Sequence, residues 1–386
     1  MDVPLTLIGS GMAALGLVRQ LRERDARRPI TLITADSGDD YAKPLLSTGF
    51  AKRLPPERLA ARSALEVADQ LGVVVRTHTR VTAIDPAARR LSIGAETLPY
   101  GELVIATGAA PRVPFAIPEA VATRVFTIND LDDYRGFYAA LEALGRPARV
   151  AIIGAGLVGC EFANDLVAGG HAVSLIAPEA TPLPRLLPEP LGQALGAAFG
   201  EAGMALNLER HLTALEAQGS QVAVRLDDGH ALAADLVLVA TGLAPRTRLA
   251  AEAGLAVSDA GIRVDRQLRS SQPGIYALGD VACVAGVNAM YVQPLQASAK
   301  ALAATLAGTP TQVSYGAWPI LVKTPLLPCV ALPPTQPVAR WRIEGEGADL
   351  AALAEAEDGR LIGFALTGAC VRRKVALARA APALLV

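Results

Sequence analysis

The sequence predicts an α/β protein with two Rossmann-like dinucleotide-binding domains followed by a small α+β C-terminal domain. Two glycine-rich stretches carry this prediction: GSGMAALG at Gly9 to Gly16 and GAGLVGCE at Gly154 to Glu161, each between an apolar strand and a helical pattern. A third observation supports it, because ATGAAPR at Ala106 to Arg112 recurs as ATGLAPR at Ala240 to Arg246. One organisational plan therefore occurs twice in the chain.

Both glycine-rich stretches have the glycine spacing that lets the chain turn sharply from a strand into the following helix beneath a pyrophosphate. The first glycine makes the turn, the second lets the backbone approach the phosphate, and the third position must be small for helix and strand to pack. A single match also occurs as a tight turn without a nucleotide, whereas two matches with the right flanks favour two dinucleotides. These positions are Gly9, Gly11 and Ala14, then Gly154, Gly156 and Gly159.

The first unit begins with a strand from Leu5 and a helix from about Ala13 to Glu23. Its second strand ends at Asp36, which is either a ribose-binding acid or a turn acid in DSGDD. The predicted elements that follow are a loop over 41–56, an amphipathic helix over 56–72, a strand over 73–85, a hairpin at 90–100 and a buried strand from 102.

The second unit repeats this order after a Pro-rich, irregular segment over 113–131. Its predicted elements are a strand at 149–153, the glycine turn with its helix and strand, a helix over 188–203, hairpin strands over 204–229 and a strand from 231. A third section contains IYALGDVA at 275–282 and a long helix over 292–307. The remaining residues are rich in short strands and prolines.

Composition and charge exclude several classes of protein. A chain of 386 residues exceeds the usual size of one core, and 52% hydrophobic with 19% charged residues fits parallel sheets covered on both faces. The formal net charge of -1 provides no global attraction for nucleic acid or an anionic membrane. No apolar run is long enough to span a bilayer, so we expect a soluble cytosolic protein.

The cysteines argue against thiol chemistry. Cys160, Cys283, Cys329 and Cys370 are far apart, with no C-x-x-C or C-x-x-x-x-C pair. We therefore expect no redox-active disulfide, zinc site or iron-sulfur cluster, and interpret each cysteine as a small buried side chain. The four histidines are equally scattered and give little support for a metal site.

The motifs GSGMAALG, ATGAAP, GAGLVGCEFA, ATGLAPR and GIYALGD, in this order, resemble the FAD-dependent pyridine nucleotide-disulfide reductase superfamily. The segment YAKPLLSTGF is similar to a loop of the branch that reduces ferredoxins or rubredoxins. Together with the segments GCEFANDL, INDLDDY and KTP, it is most similar to the sequences of the NADH:rubredoxin reductases. The nitric oxide reductase flavorubredoxin reductases are the next most similar group. Thr48 departs from the lysine that is usual in ferredoxin reductases, and Ala14 replaces the third glycine.

The resemblance implies a division into domains and two cofactors, FAD and NADH. The FAD-binding domain would comprise 1–112 and 242–312, the NAD-binding domain 113–241 and the C-terminal domain 313–386. The implied FAD-binding residues are Gly9, Ser10, Gly11, Met12, Ala14, Thr34, Ala35, Asp36, Lys43, Pro44, Val81, Ala106, Thr107, Gly108, Asp280, Val292 and Lys323. The implied NAD-binding residues are Gly154, Gly156, Leu157, Val158, Gly159, Glu161, Glu179, Thr241 and Gly242.

Within the second unit, Ala177 occupies the usual position of the ribose-binding acid and Glu179 follows two residues later. This departure leaves NADPH open as an alternative. No cluster of arginines accompanies this strand end to bind a 2′-phosphate, and NADH is therefore favoured.

The resemblance also assigns catalytic roles to Glu161, Lys43 and Lys323. Glu161 lies at the start of a helix, where it either projects toward the meeting point of nicotinamide and flavin or is a simple N-terminal acid. Lys323 would place a positive charge near the flavin, and a surface lysine is the alternative. Electrons would leave singly to rubredoxin, a small acidic carrier that requires a basic patch. The candidates are Arg246, Arg248, Arg266 and Arg269 or the run at 372–374, and a solvated face is the alternative for each.

Two competing hypotheses remain. A peroxide, oxygen or coenzyme A disulfide reductase of the same fold needs a cysteine in the loop after the first strand pair, where this sequence has YAKPLLSTGF. A nucleotide-responsive binding or signalling protein would retain FAD without turnover. Anaerobic mixing with NADH distinguishes this last class, since a binding protein would keep its yellow absorbance.

Overall fold

The computed structural model describes residues 4–386. The first segment of the chain supplies two helices, α1 (Met12–Arg22) and α2 (Ala64–Leu71). Its strands are β1 (Leu5–Ile8), β2 (Ile30–Ile33), β3 (Asp40–Tyr41), β4 (Ala60–Arg62), β5 (Val74–Arg76), β6 (Ala83–Asp85), β7 (Arg90–Ile93), β8 (Glu96–Pro99), β9 (Glu102–Ile105) and β10 (Ala109–Pro111).

The second segment contains the helices α3 (Leu131–Ala143), α4 (Leu157–Ala168) and α5 (Glu189–Glu201). Helix α3 is not among the elements predicted from the sequence. It begins after Asp130, whose side chain accepts a hydrogen bond from the Asp133 amide. The strands are β11 (Val125–Phe126), β12 (Arg149–Ile153), β13 (Ala172–Ile176), β14 (Ala205–Asn207), β15 (Leu212–Gln218), β16 (Gln221–Leu226), β17 (Ala231–Ala234), β18 (Leu236–Val239) and β19 (Leu243–Pro245).

The rest of the chain contains the helices α6 (Arg248–Glu252), α7 (Val292–Leu306) and α8 (Lys374–Ala380). Its strands are β20 (Val257–Ser258), β21 (Gly261–Val264), β22 (Ile275–Ala277), β23 (Ala282–Val284), β24 (Ile320–Val322), β25 (Cys329–Leu332), β26 (Arg340–Glu346), β27 (Asp349–Glu355) and β28 (Leu361–Thr367). No helix in residues 4–386 is long and apolar enough to cross a membrane.

Two parallel sheets form the centre of the molecule and share the order of four strands, whereas the fifth strand, at one edge, comes from a different place in the chain in each sheet. The first has the strand order β22-β9-β1-β2-β5, and the second has the order β11-β18-β12-β13-β14. An antiparallel meander accompanies each sheet, β6-β7-β8 in the first half and β15-β16-β17 in the second. The predicted α/β fold class with two Rossmann-like units is confirmed. The central strands β1, β9, β12 and β18 are almost entirely buried, as expected when helices or further strands cover both faces, whereas the edge strands β5 and β14 are partly exposed.

The repeated ATG segments pair with each other. Strands β10 and β19 are antiparallel, with Ala110 opposite Ala244. The Arg112 amide donates to Gly242 O at 2.9 Å, and the Arg246 amide donates to Gly108 O at 3.0 Å. These two bonds are equivalent under the internal repeat, so the connection between the halves is itself built from duplicated sequence.

The C-terminal residues form an antiparallel sheet with the order β24-β25-β28-β27-β26. One face of this sheet packs against the second unit, where Ala331, Ala352 and Ala365 share a core with Leu191 and Leu195 of α5. The other face forms a separate apolar cluster beneath α8, which includes Phe364 and Leu366. The C-terminal sheet is thereby joined to the second unit by a continuous apolar core.

Three predicted elements of the first unit differ in the structure. The helix predicted over 56–72 begins only at Ala64, because Ser63 and Glu66 form a capping box that starts the helix there. The strand predicted over 73–85 is interrupted between β5 and β6, where His78 adopts a left-handed φ of 47°. The loop predicted over 41–56 contains a 3₁₀ helix over Lys43–Thr48, with Pro44 in its first turn.

Candidate functional site

The predicted binding residues follow the carboxyl ends of parallel strands. In the first sheet these ends are Ile8 of β1, Ile33 of β2, Ile105 of β9 and Ala277 of β22. Because parallel strands end on the same edge of a sheet, the segments after them converge there, which is where ligands bind in open α/β sheets. The second sheet repeats the arrangement after Ile153, Ile176 and Val239.

The first glycine turn leaves a cradle with room for a phosphate. Gly9 has a φ of +114°, and a Cβ there would lie 2.3 Å from Ala106 O, so this position admits only glycine without rearrangement. Gly11 has an ordinary φ of -70° and open space at its Cβ position. No described side chain caps α1, and its first turn contains no acidic residue. Unpaired N–H groups and the helix dipole therefore favour an anion here, which fits the pyrophosphate of FAD.

The second turn repeats this geometry. Gly154 has a φ of +112°, and its Cβ would lie 2.5 Å from Ala240 O. Gly156 has open space at its Cβ position and precedes α4, for which the described residues provide no side-chain cap. At Gly159 a Cβ would lie 1.9 Å from Gly154 O, whereas the matching Ala14 carries its methyl group fully buried. Helix α4 thus approaches its turn more closely than α1 does.

Asp36 lies at the centre of a small hydrogen-bond network after β2. Its Oδ1 accepts hydrogen bonds from Thr34 Oγ1 at 2.6 Å, from Ser10 Oγ at 3.2 Å and from the Gly38 amide at 3.0 Å. These bonds orient the carboxylate, and within residues 4–386 its Oδ2 has no hydrogen-bond donor. An oriented carboxylate oxygen at this strand end has the chemistry to accept hydrogen bonds from a ribose.

The equivalent strand end of the second sheet is less polar. Ala177 is buried, and its carbonyl accepts a hydrogen bond from the Arg210 amide. Glu179 is exposed, and its carbonyl accepts from the Glu209 amide. The loop after β14 therefore covers this strand end, and Glu179 presents the exposed carboxylate.

We call residues Tyr41–Phe50 the flavin-facing segment, after the prediction for Lys43 and Pro44. Lys43 Nζ donates to Asn129 Oδ1 at 2.7 Å and lies 3.9 Å from Asp280 Oδ2. Burial lowers the pKa of Lys43, and the neighbouring Asp280 carboxylate opposes this effect. The structure thus brings two sequence-predicted residues, Lys43 and Asp280, together at the end of the first sheet.

The two other predicted catalytic residues, Glu161 and Lys323, also contact each other. The Glu161 carboxylate is buried, and it accepts a hydrogen bond from Lys323 Nζ, one from the Lys323 amide at 3.1 Å and one from Ser47 Oγ at 2.7 Å. Ser47 belongs to the flavin-facing segment and Lys323 to the C-terminal region. Glu161 is therefore the point at which three parts of the chain meet, rather than a freely projecting acid.

The other predicted residues are distributed as follows. Thr107 Oγ1 donates to Arg246 O at 3.4 Å, and Thr241 Oγ1 donates to Arg112 O at 2.5 Å, so both belong to the paired ATG segments. Val292 begins α7, which has no side-chain cap among the described residues. Val81 is buried in the core of the first unit but lies between strands, since the predicted strand is interrupted there. Met12 begins α1, and Leu157 and Val158 begin α4. Ala35, Gly108 and Gly242 lie in the segments that follow β2, β9 and β18.

Sequence reasoning missed three polar residues of this region. Asn129 is buried and donates from Nδ2 to Ala109 O at 3.0 Å while it accepts from Lys43. Asp165 accepts hydrogen bonds from the Phe50 and Ala51 amides, and Ser47 donates to Glu161. The sequence feature that could have identified Asn129 and Asp165 is a polar residue within an otherwise apolar segment, as in TIND and EFANDL.

The four cysteines are free thiols. Cys160, Cys283 and Cys329 are buried, Cys370 is half-buried, and none of them is in a disulfide. Burial raises the pKa of Cys160 far above its ordinary value and that of Cys329 to about 11, which keeps both thiols protonated. The flavin-facing segment itself contains no cysteine.

Comparison with known proteins gives two family matches. Residues 4–305 match the pyridine nucleotide-disulphide oxidoreductase family, and residues 312–381 match the rubredoxin binding C-terminal domain. The first match alone spans more than half of the chain. It includes both glycine turns that are predicted to bind a pyrophosphate.

Individual relatives agree with these matches. The chain is 42% identical to the rubredoxin-NAD(+) reductase of Alcanivorax borkumensis, with 99% of each chain covered. It is 37% identical to the nitric oxide reductase FlRd-NAD(+) reductase of Vibrio vulnificus, over 98% of each. Among solved structures, a ferredoxin reductase from Rhodopseudomonas palustris has a TM-score of 0.87 at 26% identity, covering 99% of this chain and 96% of that one.

Proposed function

The chain belongs to the pyridine nucleotide-disulphide oxidoreductase family, and from this premise we propose that it transfers electrons from NADH through FAD to rubredoxin. The match of residues 312–381 to a rubredoxin binding domain carries the proposal, because it distinguishes the acceptor from those of other family members. The relative from Alcanivorax borkumensis, which has this activity in its name, aligns over nearly the entire chain. The resemblance inferred from the sequence motifs is thus confirmed.

The residues of the chain bind, orient and shield the cofactors. When bound, FAD accepts a hydride from nicotinamide and returns the electrons one at a time. The turn at Gly9 to Ala14 would hold the FAD pyrophosphate, with Asp36 at the ribose. The turn at Gly154 to Gly159 would hold NADH.

Three residues would act around the flavin ring in this proposal. Lys43, held by Asn129 and Asp280, would present its amino group beside the ring. Glu161 would keep the Lys323 ammonium close to the site where nicotinamide and flavin meet. The absence of a cysteine from the flavin-facing segment favours a one-electron acceptor over an active-site disulfide.

The sheets support a division into domains. We propose that 1–112 and 242–312 form the FAD-binding domain, that 113–241 form the NAD-binding domain, and that 313–386 form the C-terminal domain. In support, β22 adds to the sheet of the first segment although it lies far along the chain. The β10 and β19 pair would then be the connection between the two nucleotide-binding domains.

Rubredoxin would dock on the C-terminal domain. An open groove of about 310 Å³ lies between α7 and α8, and Trp318, Leu321 and Val375 supply its apolar lining. Lys374 and Arg379 also line it, which gives a basic rim for an acidic carrier. Gln293, the second residue of α7, extends the groove toward the predicted flavin end of that helix. Of the predicted basic patches, the run at 372–374 is therefore favoured over Arg246, Arg248, Arg266 and Arg269.

Flavorubredoxin is the second candidate acceptor, since relatives named for it are 37% identical over nearly the full chain. The two acceptors share rubredoxin chemistry, and the same groove would serve both. We also propose a cytoplasmic location, where reduced thiols and NADH occur together; the four unpaired cysteines support it.

A stepwise anaerobic titration tests this function. We expect NADH to bleach the flavin absorbance, and rubredoxin to restore it at a rate well above that with a ferredoxin or with oxygen alone. If the flavin stays oxidised, the enzyme assignment is wrong. If a ferredoxin restores it as fast as rubredoxin, the acceptor is wrong although the family assignment stands.

A further inference from the structure

One face of helix α4 carries three buried polar side chains, Glu161, Asn164 and Asp165, which we call the polar stripe. Their residues are 4%, 3% and 5% exposed. Positions i, i+3 and i+4 lie on the same face of a helix. In a helix that packs inside a protein such a stripe is normally apolar. Of these three residues, only Glu161 has a role predicted from the sequence.

Asp165 binds the end of the flavin-facing segment. Its Oδ2 accepts a hydrogen bond from the Phe50 amide at 2.9 Å, and its Oδ1 accepts from the adjacent Ala51 amide at 3.0 Å. Glu161, one turn earlier, accepts from Ser47 Oγ of the same segment at 2.7 Å. The helix therefore holds the segment at two points, both just after the residues predicted to lie beside the flavin.

The third member of the stripe binds a different part of the chain. Asn164 Oδ1 accepts a hydrogen bond from the Leu326 amide at 3.1 Å, and Glu161 Oε1 accepts from the Lys323 amide at 3.1 Å. Both amides belong to the turn between β24 and β25, within the region that matches the rubredoxin binding domain. One helix face is thus bonded to two segments that are remote in sequence.

Burying these polar side chains destabilises the protein unless their hydrogen bonds are all formed. Removing carboxylates from water costs free energy that hydrogen bonds must offset. Burial raises the pKa of Asp165, while the bonds from Phe50 and Ala51 oppose the rise. An apolar helix face would pack without this cost. However, the position of the two bound segments along the helix would then depend only on the shapes of the side chains. Directional hydrogen bonds to backbone amides fix that position.

We propose that Asp165 and Asn164 are positioning residues for two different steps of the electron transfer. Asp165 fixes the flavin-facing segment relative to the helix that holds NADH, and so controls reduction of the flavin. Asn164 fixes the turn over 323–326, and so controls the docking of rubredoxin. The inference rests on the proposed function, but the effect of each residue on the segment that it binds can be measured without enzyme turnover.

The experiment compares Asp165→Asn, Asn164→Leu and Asp235→Asn in the FAD-loaded protein. Asp165→Asn retains the size of the side chain but turns an amino group toward one of the two amide donors. Asn164→Leu removes the acceptor for Leu326. Asp235 is the matched control, since it is an equally buried carboxylate of the same unit and bonds instead to Arg146, Gln221 and the Arg149 amide.

Hydrogen exchange and single-turnover kinetics are the readouts. We expect Asp165→Asn to raise amide exchange in the peptide over 45–54 about 10-fold and to slow flavin reduction by NADH about 10-fold. We expect Asn164→Leu to raise amide exchange over 321–329 and to increase the KM for rubredoxin several-fold. Flavin reduction should change much less, because Lys323 keeps its hydrogen bonds to Glu161. Asp235→Asn should leave both peptides and both steps close to those of the parent.

The pattern across variants decides the outcome. If Asp165→Asn and Asn164→Leu affect both peptides and both steps alike, or neither, the proposal is wrong. If Asp165→Asn does not retain FAD, Asp165→Glu replaces it: this variant keeps two acceptor oxygens and should give an intermediate exchange rate over 45–54. A parent protein that fails to reduce rubredoxin would overturn the proposed function, while the exchange data would still test the two contacts.

Discussion

Lys323 donates two hydrogen bonds to the buried carboxylate of Glu161, one from its Nζ and one from its backbone amide. The residues are 162 positions apart in the sequence, and the family resemblance assigned both to catalysis. Their contact joins the start of α4 to the C-terminal sheet. It also means that neither side chain can be altered without changing the environment of the other.

Glu161→Gln should destabilise the protein and slow flavin reduction. The neutral amide leaves the Lys323 ammonium without its counter-charge and presents an amino group to a donor, which typically costs about 1–3 kcal/mol. Denaturant unfolding measures the stability, and stopped-flow absorbance measures reduction by NADH.

The double variant Glu161→Gln with Lys323→Met is the control for this pair. Because it removes the unpaired charge, it should recover part of the lost stability. Additive losses in the double variant would contradict a direct energetic link between the two side chains.

Gly11→Ala and Gly156→Ala should each weaken the binding of a different cofactor. Neither glycine has a strained φ, and no described atom lies within 4 Å of the added Cβ, so the apoprotein should fold as before. The methyl group would instead occupy the phosphate cradle. We expect Gly11→Ala to weaken FAD binding at least about 10-fold, or ~1.4 kcal/mol, and Gly156→Ala to weaken NADH binding with FAD retained.

Flavin absorbance per chain and titration with NADH measure these effects. Gly200→Ala is the control, because Gly200 lies within α5 with equally open space around its Cβ position. This substitution should leave both cofactors bound. A Gly11→Ala protein with undiminished FAD affinity would show that the first cradle does not hold the pyrophosphate.

Asp235 should contribute to stability above acidic pH. The Arg146 guanidinium and the Arg149 amide hold the pKa of Asp235 well below its ordinary value of 3.8. A lowered carboxyl pKa means that the unfolded chain binds more protons, so this contribution is present above 3.8 and is lost as the pH falls through the folded-state pKa. Asp235→Asn should therefore be less stable than the parent at neutral pH and lose less stability on acidification.

Unfolding midpoints measured from neutral to acidic pH test this prediction. The difference between parent and variant should be on the order of 1–3 kcal/mol near neutrality, as for other charge-assisted hydrogen bonds, and should narrow in acid. A constant difference across the range would mean that the carboxylate does not titrate as inferred.

Lys374→Glu and Arg379→Glu should impair rubredoxin reduction. Both side chains line the groove beside α8, and reversing their charge opposes the approach of an acidic carrier. We expect kcat/KM for rubredoxin to fall about 10-fold at low salt, and the difference from the parent to shrink as salt screens the charges. Steady-state kinetics at several ionic strengths measure this.

Arg248→Glu is the matched control for the groove. The Arg248 side chain is 89% exposed and lies 3.5 Å from Glu252 on helix α6, which belongs to the other candidate patch. It should leave kcat/KM for rubredoxin unchanged. A larger loss in Arg248→Glu than in Lys374→Glu would move the docking face to that patch.

Local sequence patterns are sufficient to predict the architecture. Glycine spacing and the recurrence of the ATG segments are local properties, because a turn with a positive φ at Gly9 or Gly154 is encoded within a few residues. The same holds for the long helix α7, whose observed bounds differ by one residue from the predicted ones. The family, its cofactors and its acceptor followed from these motifs in their order.

The contacts between polar groups, in contrast, depend on how remote segments pack. The start of α2 depended on the Ser63 and Glu66 capping box, which an amphipathic pattern does not locate. The contacts of Glu161 with Ser47 and Lys323, and of Asp165 with Phe50, join residues more than 100 positions apart. No local pattern encodes such a pairing, because a hydrogen bond between remote segments exists only once the packing of sheets and helices has brought donor and acceptor together.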